Sequence, residues 1–145
     1  MIVVISGSRG YHRDEYLPKL DEAIRLSGFK VTKILHGGNM DSVDRLAKAW
    51  ARLHDIEFDA IAADWDECER LGIPRKAAGP LRNKKLVTSG DALVALWDGE
   101  SPGTLDCITQ MRRAAKPAFV YRLDGAAHER INAQLGLFPS PAPRR

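Results

Sequence analysis

Ile2-Val3-Val4-Ile5-Ser6-Gly7-Ser8-Arg9-Gly10 is an unbroken apolar, β-branched run that ends in a glycine-bearing turn. Such a run, without polar alternation, reads as a strand buried on both faces. The junction recurs. Val31-Thr32-Lys33-Ile34-Leu35 leads into His36-Gly37-Gly38-Asn39, and a third junction is Ser101-Pro102-Gly103-Thr104. Helical patterns follow. Residues 14–27 put Leu17, Leu20, Ile24 and Ser27 on one face, with Pro18 in the first turn and Gly28 at the stop. Val43, Leu46, Ala47, Trp50 and Ala51 then form an apolar stripe at helical spacing, with Asp41 or Ser42 as its cap.

The alternation continues to the end of the chain. Residues 56–63 read as a weaker strand interrupted by Asp59. Residues 64–79 are irregular, with a helical turn near 67–71, and Pro80 opens a helix through about Ser89. Residues 91–97 are another buried strand. Residues 104–115 are helical, with Thr104, Cys107, Ile108, Met111 and Ala115 on one side, and residues 117–121 are a strand. Residues 127–135 read as a short terminal helix and residues 140–145 as a frayed tail. This order predicts an α/β fold, a mostly parallel sheet of about five strands with helices on both faces. One domain spans residues 1–123, and residues 124–145 form a terminal appendage. Ligands of such sheets bind at the carboxyl ends of the strands, where strand order reverses, and all three glycine junctions belong to that edge.

Composition narrows the function classes. The chain has 145 residues, of which 44% are hydrophobic, enough for one domain with a real core. Its net charge of +3 comes without a lysine/arginine stripe or interleaved aromatics, which favours an ordinary surface over a dedicated nucleic-acid face. No apolar run approaches the roughly 20 residues of a membrane span, and the start lacks the basic region of an export signal. A cytoplasmic setting with reduced Cys68 and Cys107 is therefore expected. His12, His36, His54 and His128 show no metal-ligand spacing with the cysteines, so neither metal nor cofactor is expected. The dinucleotide, Walker A and nucleophile-elbow patterns are absent.

The junctions carry the candidate chemistry. A helix N-terminus leaves N–H groups unpaired and bears partial positive charge, so glycine beside it makes an anion site. Gly7, Ser8 and Arg9 offer backbone donors, a hydroxyl and a guanidinium; Arg9 reads equally as a surface arginine on a tight turn. Gly37 and Gly38 permit close approach. Asp44, in the first turn of its helix, suits ribose hydroxyls or simply the helix dipole. Arg82 and Asn83 follow the small residues Ala77-Ala78-Gly79. Trp65 offers a stacking surface or, as is commoner for a lone tryptophan, core packing. Cys107 sits in an apolar stripe and reads as a packed thiol.

Six motifs occur in order: Ser6-Gly7-Ser8-Arg9, His36-Gly37-Gly38, Asp44-Arg45-Leu46-Ala47, Ala63-Asp64-Trp65, Ala78-Gly79-Pro80-Leu81-Arg82-Asn83 and Gly103-Thr104. This series, over roughly residues 1–122, resembles the YspA/YpsA-related branch of the SLOG superfamily. The resemblance implies a Rossmann-like fold and a pocket for a nucleotide or nucleotide-derived ligand. The binding positions it implies are Gly7, Ser8, Arg9, Gly37, Gly38, Asp44, Arg82, Asn83, Gly103 and Thr104. It also implies self-association as a homodimer. Relatives include the "lonely guy" phosphoribohydrolases, the deoxyribosyltransferases and the DNA-processing protein DprA. The alternative function is therefore an N-glycosidase acting on nucleoside monophosphates, and a DNA-associated role stays open behind it. The phosphoribohydrolases look like Pro-Gly-Gly-x-Gly-Thr-x-x-Glu, with the glutamate catalytic. Here that position is Cys107, which leaves Asp44 and Asp106 as the candidate catalytic carboxylates.

Overall fold

The computed structural model describes residues 1–133. Strands β1 (Ile2–Gly7), β2 (Lys33–His36), β3 (Glu57–Ala60), β4 (Ala92–Trp97), β5 (Ala118–Arg122) and β6 (Glu129–Ile131) form one sheet in the order β3-β2-β1-β4-β5-β6. All neighbours are parallel except β5 and β6. The helices are α1 (Leu17–Ser27), α2 (Val43–Leu53), α3 (Trp65–Leu71), α4 (Ala78–Ser89) and α5 (Pro102–Arg113). The fold is thus Rossmann-like. Strand order reverses between β1 and β4, whose register runs from Val3↔Ala92 to Gly7↔Leu96.

Two apolar layers hold the sheet between helices. On one face Val3, Ile5, Val94 and Leu96 meet Leu20 and Ile24 of α1 and Leu46, Trp50 and Ala51 of α2. On the other, Val4, Leu93, Ala95 and Val120 meet Leu86 and Val87 of α4 and Cys107, Ile108 and Met111 of α5. Successive residues of β1 and β4 therefore alternate between two buried layers, which is why neither strand alternates apolar with polar. Local signals set the helix ends. Pro18 lies in the first turn of α1, and Gly28 ends that helix with φ of 74°. Ser42 caps α2, its Oγ accepting the Asp44 N–H at 3.2 Å. All five residues of the α2 stripe are buried.

The sheet has six strands rather than five, and the expected helix over residues 127–135 gives way to β6. The free edge of β5 explains the difference. Ala118, Phe119 and Val120 pair with Ile131, Arg130 and Glu129. Ile131 is buried in the second layer, and Arg130 stacks on Phe119 with its Cζ 5.1 Å from the ring centroid. Pairing an unsatisfied backbone edge outweighs local helix preference. The tail at 140–145 lies outside the described residues. No helix among the described residues is long and apolar enough to cross a membrane.

Gly7 marks where β1 meets α2. A Cβ there would overlap Val43 Cγ2, and Val43 is fully buried as the first residue of α2. Gly7→Ala is expected to cost about 1–3 kcal/mol by overpacking, measured by urea unfolding. Gly79→Ala, where a Cβ would meet nothing within 4 Å inside α4, is the control and should keep or raise the midpoint.

Candidate functional site

At the carboxyl ends of β1 and β4 lies a cleft of about 420 Å³, lined by segments from four loops and helix starts. Its size falls within the range of small-ligand pockets. Ser6, Gly7 and Arg9 come from the end of β1, and Gly37, Asn39, Ser42 and Asp44 from the β2–α2 turn. Gly79, Arg82 and Asn83 come from α4, and Ser101, Pro102, Gly103 and Thr104 from the start of α5. The first two loops are stitched together: Gly10 N–H donates to Asp41 O at 2.9 Å, and Arg9 bridges Ser42.

Arg82 is fixed from two sides. Its Nη1 donates to Gly37 O at 2.8 Å and its Nε to Asn83 Oδ1 at 2.9 Å. Asn83 is buried and donates through Nδ2 to Gly103 O at 3.2 Å and to Asp106 Oδ2 at 3.0 Å. The same Asp106 oxygen accepts from Gln110 Nε2 at 2.9 Å. A polar chain thus runs from α5 through α4 to the β2–α2 turn. Gly37 is where that chain needs a glycine. A Cβ there would overlap Arg82 Nη1 and stand 3.0 Å from Asp44 Oδ2.

Asp44 is almost fully buried at the cleft wall and accepts the Asn39 N–H at 3.1 Å. Burial pushes its carboxyl above the usual value, opposed by the N–H groups of Asn39 and Gly37 and by the positive charge of Arg82. His36, behind it, is also buried, and burial holds its imidazole below the ordinary value while Asp44 opposes the shift. Gly38 N–H donates to His36 Nδ1 at 3.1 Å, so the acceptor nitrogen carries no proton.

The start of α5 is open. Ser101 makes no side-chain cap, and its hydroxyl donates instead to Asp98 Oδ2 at 2.9 Å. Burial raises the Asp98 carboxyl, but the N–H groups of Ser101 and Glu100 and the Ser101 hydroxyl outweigh it and hold the group low. Among the described residues no acceptor meets the N–H groups of Gly103 and Thr104. These two donors sit at the positive end of a 12-residue helix facing the cleft.

Of the ten binding positions read from the sequence, eight line the cleft: Gly7, Arg9, Gly37, Asp44, Arg82, Asn83, Gly103 and Thr104. Ser8 and Gly38 do not. Ser8 is buried, and its Oγ accepts the Asp98 N–H at 3.1 Å, joining the β1 and β4 loops. Gly38 has φ of 73° and packs towards Ala60 and Ala62. Of the two candidate carboxylates, Asp44 faces the cleft, while Asp106 does not line it and is engaged between α4 and α5. Cys107 is fully buried beneath Ser6, and burial pushes its thiol up to about 12. Trp65 is not a core residue, since 48% of it is exposed. Ser42, Gly79, Ser101 and Asn39 also line the cleft although the motifs did not single them out as ligands. Ser42 and Ser101 occupy helix-cap positions at the edge of the cleft, which is the signal that marks them. Among the described residues no group of three or more His, Cys, Asp or Glu is placed to hold a metal ion.

Residues 1–67 match the YAcAr family, described as the YspA, cpYpsA-related SLOG family. This match supports the resemblance to the SLOG superfamily over that stretch. The SLOG match runs from β1 into α3 and so contains the β1 and β2 walls of the cleft. The walls from α4 and α5 lie beyond it. No curated protein matches the chain.

Asp44→Asn keeps an acceptor for Asn39 N–H and removes a buried charge. A folded-state pKa raised above the unfolded value means that the native state holds the proton more tightly, so wild-type stability falls as pH rises through that window. The variant is expected to melt no lower than wild type at neutral pH, with an advantage that grows as pH rises above about 4. Melting curves across that range check it. A uniform loss of several degrees would make Asp44 a purely structural acceptor.

Proposed function

We propose that the cleft binds a nucleotide or nucleotide-derived ligand. Phosphate is held by the open start of α5 with Arg9 and Arg82, and the sugar by Asp44. The observation that carries this reading is the pair of unmatched N–H groups at Gly103 and Thr104, facing two guanidinium groups across a cleft at the strand-order switch. The SLOG match fits nucleotide-related binding or glycosidase-type chemistry. The N-glycosidase reading keeps one support, the buried Asp44 carboxyl on the cleft wall. Glycosidic cleavage needs a carboxylate beside the sugar, and Asp106 is committed elsewhere.

A thermal-shift screen with AMP, ADP, ATP, NAD, ADP-ribose, cyclic nucleotides and deoxynucleotides tests both readings. Each mixture is then analysed by chromatography for free base. A binder raises the midpoint as its concentration passes Kd. Intact ligand supports binding alone, released base supports hydrolysis, and no shift with any of them overturns the reading.

Two variants localise the phosphate. Arg9 is exposed and, among the described residues, no acidic group pairs with its side chain, so Arg9→Ala leaves the fold intact. It is expected to weaken phosphorylated ligands by about 1.5–3 kcal/mol, as for a charge-assisted hydrogen bond, and to spare the nucleoside. Gly103→Ala meets nothing within 4 Å in the empty cleft and favours the helix. It should keep or raise the melting temperature while reducing ligand affinity, measured by calorimetry.

A further inference from the structure

A second hollow, of about 440 Å³, is lined by Ala62, Ala63, Asp64, Trp65, Asp66 and Arg75. Its main feature is an indole that the fold does not use for packing. Trp65 is 48% exposed, whereas Trp50 is 5% exposed in the core. The ring stands at the first position of α3, and Asp64 holds that start in place, its Oδ1 accepting the Glu67 N–H at 3.0 Å. The carboxylate of Asp64 is thereby held below its usual range, chiefly by that N–H and then by Arg70. Arg75 reaches over the indole, with its Cζ 5.7 Å from the ring centroid. The small side chains of Ala62 and Ala63 leave the approach open.

The hollow and the cleft are linked through the chain on two sides. On one side, Gly38 packs towards Ala60 and Ala62, and its neighbours Gly37 and Asn39 line the cleft. Ile61 N–H donates to His36 O at 2.8 Å, tying the two loops together at this point. On the other side, the helical turn Arg75–Ala77 runs directly into α4, whose Gly79, Arg82 and Asn83 line the cleft. The β2–α2 turn therefore borders both the cleft and the hollow that holds the indole. A flat aromatic ring is the chemistry that an exposed tryptophan with an overlying guanidinium recognises.

We infer that Trp65, with Arg75, is the stacking platform for the base of the nucleotide whose phosphate and sugar the neighbouring cleft holds, an inference that rests on the nucleotide reading of that cleft. The platform makes the site selective for ligands that carry an aromatic base over the bare sugar phosphate. It tolerates different bases, because stacking uses the ring face and not its edge.

The test compares AMP with ribose 5-phosphate by calorimetry on the wild type, Trp65→Ala and Trp65→Phe. Trp65→Ala should weaken AMP by about 5- to 150-fold, the range for loss of one stacked base, and leave ribose 5-phosphate unchanged. Trp65→Phe should restore most of the AMP affinity. Unchanged AMP affinity in Trp65→Ala overturns the platform and leaves the phosphate site standing, and would turn attention to the indole as a protein contact. Equal weakening of AMP and ribose 5-phosphate also overturns it, since the tryptophan would then only support the fold. Wild type that binds neither probe defeats the nucleotide reading itself, and the platform with it.

Discussion

The guanidinium of Arg82 occupies the space where any side chain at position 37 would begin, and the cleft is organised around that contact. One residue of α4 reaches across to the β2–α2 turn, accepts no substitute for glycine there, and is itself steered by Asn83 and Asp106. A guanidinium has donors in a rigid planar fork, so fixing Nε and Nη1 fixes the plane of the whole group. The remaining donors then keep one direction. The buried carboxyl of Asp44 is tolerable for the same reason: it lies within the field of this cation and takes an N–H from the turn.

Much of this was legible in the sequence, for reasons that differ by residue. The α2 stripe could be read because an amphipathic helix repeats its signal every turn, and Ser42 because a cap is a local device. Cys107 could be read as a core thiol from the stripe it sits in. The three glycine junctions all reach the cleft. What they could not tell was which group each glycine makes room for. Gly7 accommodates Val43, Gly37 accommodates Arg82, and Gly103 has open space before it. The approaching atom comes from a distant part of the chain in the first two cases, so no local pattern encodes it.

The same distinction explains the misread elements. The β6 segment has residues suited to a helix, but its partner is a strand edge brought alongside by the whole sheet. Ser8 belongs to a ligand-like motif yet turns inward to Asp98, a residue 90 positions away. Asp106 is next to the position where relatives of the resembled family carry their glutamate, and here it orders two helices. Trp65 reads as core on frequency alone and stands at the surface, outside both apolar layers.

The strand order has a consequence for the chain as it is made. β4 lies in the middle of the sheet, beside β1, although it is separated from it by two intervening strands and four helices. A ribosome that has released only the first sixty residues has exposed β1, β2 and β3, with one whole edge of β1 bare. Unpaired apolar edges of this kind invite wrong neighbours, and long-range parallel pairing is slow to form. The bare edge persists until Trp97 has emerged, so the central strand of the finished sheet is for a time its most vulnerable border. The cleft, whose far wall starts with α5, closes only after that helix start has emerged, with β5 and β6 still to come.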